Sequence, residues 1–319
     1  MPRSISAARN VQTCGRISEV ISTSSVRGTA HYPPTFADSE ARRRISFTFD
    51  LEDHRSGQDP ASRYVRTTYD VLDFLNRISC RGTFFVVGTV AVQFPVLIQA
   101  IAKAGHEVAF HGYDHTPLEE DEPVRFRRDT TRGLQLLEDL IGRKVVGYRA
   151  PIFSLTRATM WCVDAFASLG LTYSSSIVPA ANPRRGFPGA PRHPFKWPGG
   201  VVELPAATTS IGGLIVPFLG GVYFRYFPTR FVLHRLRQAA AGGLWTYLHP
   251  YDCDPGEGFQ RVERTNMVES VILAFNRQGT LKKMERLLKD RTHAPLRERV
   301  AAGEFAEAPL ISVGQSELK

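Results

Sequence analysis

Between residues 45 and 177 the chain repeats one pattern. A short apolar run ends at a charged or ionisable side chain, and a longer stretch with apolar residues at helical spacing follows. Residues 45–49, 83–87, 107–110 and 145–148 read as buried strands. Residues 64–78 carry Val65, Tyr69, Leu72, Leu75 and Ile78 along one helical face. Pro95 opens a second helix that stops at Gly105, and residues 124–140 form a third that stops at Gly142. Residues 156–169 read as a fourth helix, followed by a strand at 172–177. Such alternation calls for an α/β fold with a parallel sheet, either open or closed into a barrel. In both, the C-terminal strand ends gather on one face, where ligands bind. Asp50, His111 and Arg149 each stand just past a strand end, as does His249 after a later run at 244–248. Four side chains far apart in sequence are therefore expected to converge.

The rest of the chain is patterned differently. Residues 179–228 are rich in Pro and Gly and read as an elaborated loop region over one face, with a strand at 201–204. A helix at 231–241 and a final helical segment at 265–289 follow. We place the main domain at 42–290, with the Pro/Gly-rich insertion at 179–228 inside it. Residues 291–319 are a weakly patterned tail. Residues 1–41 are rich in Ser, Arg and Thr and lack the apolar stretch of a secretory signal, so a disordered leader is expected there. A start codon placed too far upstream would look the same.

With 319 residues, 43% hydrophobic and 22% charged, the chain has ordinary globular composition and can bury a sizeable core. No run approaches the roughly 18 apolar residues needed to cross a bilayer. Cys14, Cys80, Cys162 and Cys253 are too scattered for a zinc ribbon or a disulfide framework, which suggests a reducing compartment. The expected location is the cytoplasm, with peripheral contact to a membrane face. The net charge of +9 is spread out, and its densest run is Arg42-Arg43-Arg44. No nucleic-acid motif accompanies it, so no nucleic-acid partner is expected; an anionic sugar or membrane face suits the charge better.

Four short motifs carry chemistry. In His111-Gly112-Tyr113-Asp114-His115 two imidazoles four residues apart can face one metal, and Gly112 argues for a tight loop rather than a helix. A surface turn can display the same pair. Asp50-Leu51-Glu52-Asp53 packs three carboxylates into four residues, whose repulsion calls for a cation, a metal or open solvent. Tyr148-Arg149-Ala150-Pro151 puts a guanidinium at a strand end, able to grip a carboxylate by two hydrogen bonds or to lie free on the surface. His249, between Tyr247 and Tyr251, is placed for acid–base work or for a structural role.

In this order, together with Gly82-Thr83-Phe84-Phe85, the motifs resemble the polysaccharide deacetylases of NodB-homology type, carbohydrate esterase family 4. The resemblance runs from about residue 45 to 252. It is closest to deacetylases of exosortase-associated exopolysaccharide loci, at Arg81-Gly82-Thr83-Phe84-Phe85, Gly147-Tyr148-Arg149-Ala150-Pro151, Gly189-Ala190-Pro191-Arg192, Glu203-Leu204-Pro205 and Gly220-Gly221-Val222-Tyr223-Phe224-Arg225. It implies a distorted (β/α) barrel with fewer than eight strands and an N-acetylated glycan as substrate. It also implies a divalent metal, Zn²⁺ the expected ion, held by one carboxylate with His111 and His115. Asp50 is the implied base, held by Arg149, and His249 the implied acid.

Two departures stand out. Leu51 interrupts the usual Asp-Asp pair, giving the Asp-x-Glu form of a minority of the family. Ser174 stands where relatives carry an Asp. Strand alternation puts Asp50 and Glu52 on the same side, so Glu52 is the expected third metal ligand. Asp53 takes that place if the chain turns at Asp50. Two other functions fit the same motifs less fully: an amidohydrolase acting on a small N-acyl or cyclic amide, and a non-catalytic carbohydrate-binding protein. Among the remaining residues, His106 is expected to pack beneath the metal loop and His54 to lie in an exposed loop. Trp245 is expected in the core, and Trp197 in the core or as a sugar platform.

Overall fold

Five short strands, buried on both faces, form the centre of the fold: β1 (Phe47–Leu51), β2 (Gly82–Val86), β3 (Glu107–Phe110), β4 (Gly147–Tyr148) and β5 (Tyr173–Ser174). Each is parallel to the next. Burial on both faces explains why these runs are mostly apolar, and the polar residues among them, such as Thr48, Asp50, Thr83 and Glu107, are buried with partners. Next come β6 (Phe195–Lys196) and β7 (Val202–Glu203). β7 extends the sheet in parallel beside β5, and β6 closes that edge antiparallel, so seven strands run β1-β2-β3-β4-β5-β7-β6. A separate hairpin joins β8 (Thr208–Ile211) to β9 (Leu214–Pro217). The structure is a computed structural model that describes residues 43–54, 63–181, 186–239, 242–262 and 265–311. The expected leader at 1–41 and residues 312–319 lie outside the described residues.

The crossovers are α1 (Arg63–Arg77), the pair α2 (Gly88–Gln93) and α3 (Pro95–Lys103), and α4 (Pro123–Ile141). They set Val71 and Leu75, Leu97 and Ile101, and Leu134 and Leu137 into one core. Each such side chain contributes roughly 1.5–3 kcal/mol on burial. At Gly147 a Cβ would lie 2.2 Å from the Tyr173 ring, so only glycine lets β4 and β5 pair there.

On the other side of β1, residues 245–248 align in parallel through bridges from Ser46 to Trp245 and from Phe49 to Leu248. Trp245 Nε1–H donates to the carbonyl of Leu204, just after β7, at 3.1 Å. That bond ties the two ends of the sheet into a barrel-like ring.

Several expected elements differ in detail. Residues 156–169 are not one α-helix but a 3₁₀ turn, the short α5 (Val163–Phe166) and a second 3₁₀ turn. The segment 179–228 is more than a loop, since it supplies β6–β9 and α6 (Gly221–Tyr226). After it come α7 (Thr229–Gln238) and α8 (Pro250–Cys253). The final helical segment splits into α9 (Met267–Ala274) and α10 (Thr280–Leu288), because Asn276 and Gly279 adopt left-handed conformations between them. Residues 291–311, weakly patterned in sequence, are built into the fold. Ile45 N–H donates to Arg291 O at 2.7 Å, and α11 (Leu296–Ala301) buries Leu296 completely. Arg299, 2% exposed, donates to Ser46 Oγ and Leu244 O, each at 3.1 Å.

Candidate active site

Strand register brings the polar residues together. Leu51 pairs with Val86, Val86 with Phe110 and Phe110 with Tyr148. The ladder continues one step further, with Val87 N–H on Leu51 O, His111 N–H on Val86 O and Arg149 N–H on Phe110 O. Glu52, His111 and Arg149 therefore share one level across the sheet. Asp50 N–H donates to Leu248 O at 2.8 Å, which puts Asp50 beside His249.

Glu52, His111 and His115 form one cluster whose ligand atoms all lie within 4.8 Å of one another. Glu52 Oε2 contacts His115 Nε2 and lies 3.5 Å from His111 Nε2. Burial raises the Glu52 carboxyl, but the adjoining imidazoles of His115 and His111 outweigh it and hold the group well below the usual carboxylate range. His111 Nδ1 is 2.8 Å from Arg149 O. A carbonyl can only accept, so Nδ1 carries the proton and Nε2 keeps a lone pair available to an ion shared with Glu52. Gly112 and His115 are both left-handed, with φ of 78° and 60°. This turn returns the His115 ring to the side of His111, with ring centroids 5.1 Å apart. For a non-glycine residue the conformation costs of order 1 kcal/mol, and such strain collects at functional sites.

A divalent metal fits these residues. One carboxylate and two imidazole nitrogens are the donors of an open three-ligand site. Glu52 Oε2 and the two imidazole nitrogens, all within 4.8 Å of one another, are close enough to share a single ion. Asp53 is not part of the cluster. It lines a separate pocket with His54, Arg63 and Tyr64, as the alternation of side chains beyond β1 requires.

Asp50, 2% exposed, ion-pairs with Arg149, which is fully buried. The guanidinium also donates to Thr48 Oγ1 at 2.9 Å and Ser175 Oγ at 3.0 Å. Its carbon sits 3.9 Å from the Phe85 ring centre and 4.3 Å from that of Trp245. His249 Nε2 is 3.6 Å from Asp50 Oδ2, just beyond hydrogen-bond range.

Sequence reasoning gave no role to Asp252, which is fully buried with Oδ2 2.8 Å from His249 Nδ1. Arg225 Nε reaches the other carboxylate oxygen at 2.8 Å. Burial pulls His249 down, but the Asp252 hydrogen bond and the charges of Glu52, Asp252 and Asp50 more than offset this and raise it to about 9. Tyr251 stacks on the imidazole, centroids 4.7 Å apart and 9° from parallel. The available signal was the spacing of three residues between His249 and Asp252; nothing in sequence ties Arg225 to them. Ser174 bonds Ser176 at 2.7 Å, so the carboxylate on His249 is Asp252 and not a residue at 174.

His106, His54 and Trp197 make structural contacts. His106 is buried and accepts the Gly82 N–H at 3.1 Å; burial lowers its pKa to about 4, keeping it neutral. His54 is not an exposed loop residue, since it pairs with buried Glu257 at 3.1 Å. Trp197, 1% exposed, donates to Glu203 Oε2 at 2.9 Å and is a core residue, not a sugar platform.

Residues 37–174 match the family Polysaccharide deacetylase, and residues 175–301 match a Domain of unknown function (DUF3473). A peptidoglycan deacetylase-like protein of Gibberella zeae is 28% identical over 156 residues, 43% of this chain and 45% of the relative. A chitooligosaccharide deacetylase of Bradyrhizobium is 36% identical over 89 residues, 28% of this chain and 36% of the relative. The chain thus spans less than half the length of these curated relatives. A solved Mycobacterium smegmatis protein assigned to the polysaccharide deacetylases superposes with a TM-score of 0.59 at 23% identity, covering 86% of this chain and 94% of that one. The Puue allantoinase structure superposes at 0.57 with 16% identity, covering 90% and 98%. These two likenesses show the fold. Residues 37–174, which hold Asp50, Glu52, His111, His115 and Arg149, thus form a polysaccharide deacetylase domain by their family match.

Proposed function

We propose that this chain hydrolyses the N-acetyl group of an amino sugar, in a polysaccharide or its lipid-linked precursor, with a divalent ion held by Glu52, His111 and His115. One observation carries the reading. The three-ligand cluster, the Asp50–Arg149 pair and the His249–Asp252 pair meet at one end of the sheet, around one cavity. The peptidoglycan and chitooligosaccharide deacetylases among its relatives support the substrate class. Two imidazoles and a carboxylate suit Zn²⁺. The resemblance at Gly189–Arg192 and Gly220–Arg225 supports a role in exopolysaccharide assembly. The cytoplasm, at a membrane face, belongs to the same proposal, supported by the net charge of +9.

When bound, the ion supplies Lewis acidity, polarising the acetamide carbonyl and acidifying the attacking water. The protein handles the protons. Asp50, oriented by Arg149, takes one proton from the attacking water. His249 Nε2 gives its proton to the sugar nitrogen as the C–N bond breaks, so the amine leaves neutral and acetate forms. Asp252 accepts from Nδ1 and keeps Nε2 aimed at the nitrogen.

Acetate release from N-acetylglucosamine oligomers by purified protein tests the reading. Asp50→Asn should lower the rate roughly 10²-fold or more. Hydrolysis confined to small cyclic amides would point to an amidohydrolase, and glycan binding without any hydrolysis to a binding protein.

A further inference from the structure

The catalytic groups occupy one end of a cavity of about 410 Å³. The remaining walls have a different chemistry. Hairpin β8–β9 contributes Leu214, Ile215 and Val216, joined by Val178, Ile152 and Val222 from other segments. Outside the catalytic groups, the described lining offers side-chain hydrogen bonds from the hydroxyls of Tyr223, Tyr247 and Tyr251. A site built for a polyhydroxylated chain alone would place amides and charged groups against the sugar hydroxyls, because a hydroxyl stripped of water without a partner weakens binding. This wall offers aliphatic surface instead.

The hairpin tip is also apolar where solvent reaches it. Leu214 is 71% exposed, and Ile211 and Ile215 are 37% exposed. Gly212 and Gly213, both left-handed, form a two-residue turn that sets Ile211 opposite Leu214. The turn fixes the register of the hairpin, with Leu214 and Ile215 at once on the cavity wall and open to solvent.

We propose that hairpin β8–β9 forms a subsite for a hydrocarbon chain carried by the substrate, running from the N-acylated sugar at the catalytic groups out along Leu214 and Ile215. The proposal rests on the deacetylase reading for the reacting end of the substrate and adds the class of group attached to it. The chain can hang from the sugar nitrogen, as an acyl group longer than acetyl, or from the anomeric oxygen, as a lipid aglycone.

Two substrate series separate these sources: N-acylglucosamines from acetyl to decanoyl, and alkyl glycosides of N-acetylglucosamine from methyl to decyl. In one series kcat/KM should rise roughly threefold per methylene until the wall is covered. The series that rises shows which end of the sugar carries the chain. In the Leu214→Ser/Ile215→Ser variant, checked for an unchanged melting profile, the long-to-short ratio should collapse toward one. Hydrolysis of the short members with no dependence on length in either series overturns the subsite and leaves the deacetylase reading standing. If no member is hydrolysed, calorimetry with octyl N-acetylglucosaminide and with N-octanoylglucosamine decides. Binding that the double variant loses keeps the subsite and removes the deacetylase reading; absence of binding removes the subsite as well.

Discussion

The backbone carbonyl of Arg149 accepts the Nδ1 proton of His111 at 2.8 Å, while the Arg149 guanidinium holds Asp50. One residue thus orients the proposed metal ligand His111 through its main chain and the proposed base Asp50 through its side chain. The two roles separate in Arg149→Met, which keeps the carbonyl and loses the guanidinium. Metal content should stay at that of the wild type, while the rate falls about 10²-fold or more. Leaving Asp50 buried and unpaired should cost about 3–5 kcal/mol, read from urea denaturation. Loss of metal with the rate preserved would reverse these assignments.

Asp252 should set the alkaline limit of activity. His249 must be protonated to act, and it is held up at about 9 against the pull of burial, first by its hydrogen bond to Asp252. Protonation is complete well below that value and is lost as pH rises through it. Asp252→Asn keeps the shape and removes the charge, so the alkaline limb of kcat/KM should move down by a unit or more. A pH profile that does not move would remove Asp252 from the control of His249.

Glu52 and Asp53 should differ sharply in metal affinity. Glu52 faces His111 and His115, and Asp53 lines another pocket. Glu52→Ala should weaken binding by far more than tenfold, and Asp53→Ala by less than that, in a competition assay with a chromogenic chelator. The opposite ranking would move the ligand to Asp53.

How much of this was legible beforehand follows from what each element depends on. Asp50, His111, Arg149 and His249 could be placed from sequence because strand ends in a parallel fold converge whatever their spacing along the chain. Glu52 was legible because alternation persists one step past β1. Arg225 was not: it meets Asp252 through α6, inside a Pro/Gly-rich stretch without periodicity. Residues 291–311 were opaque for a related reason. Their hold comes from single contacts, Arg299 on Leu244 O and Leu296 N–H on Thr83 Oγ1, which leave no repeating pattern.

Truncation after residue 290 tests that last point. It removes Leu296 and Phe305 from the core, together with the buried Arg299. Stability should fall by at least about 3 kcal/mol. Should the truncated chain not fold, Leu296→Ala in the full chain should still cost about 2–5 kcal/mol. An unchanged urea midpoint in both would show the segment to be dispensable.

The claim on which the rest depends is that Glu52, His111 and His115 hold an ion that catalysis requires. The direct measurement is acetate release from an N-acetylglucosamine oligomer by chelator-stripped protein, followed as Zn²⁺ is added back. The rate should start near zero, rise in proportion to added metal and level off at about one equivalent per chain, while the His111→Ala/His115→Ala variant stays flat. Full activity in the stripped protein, or equal recovery in the double variant, would contradict it.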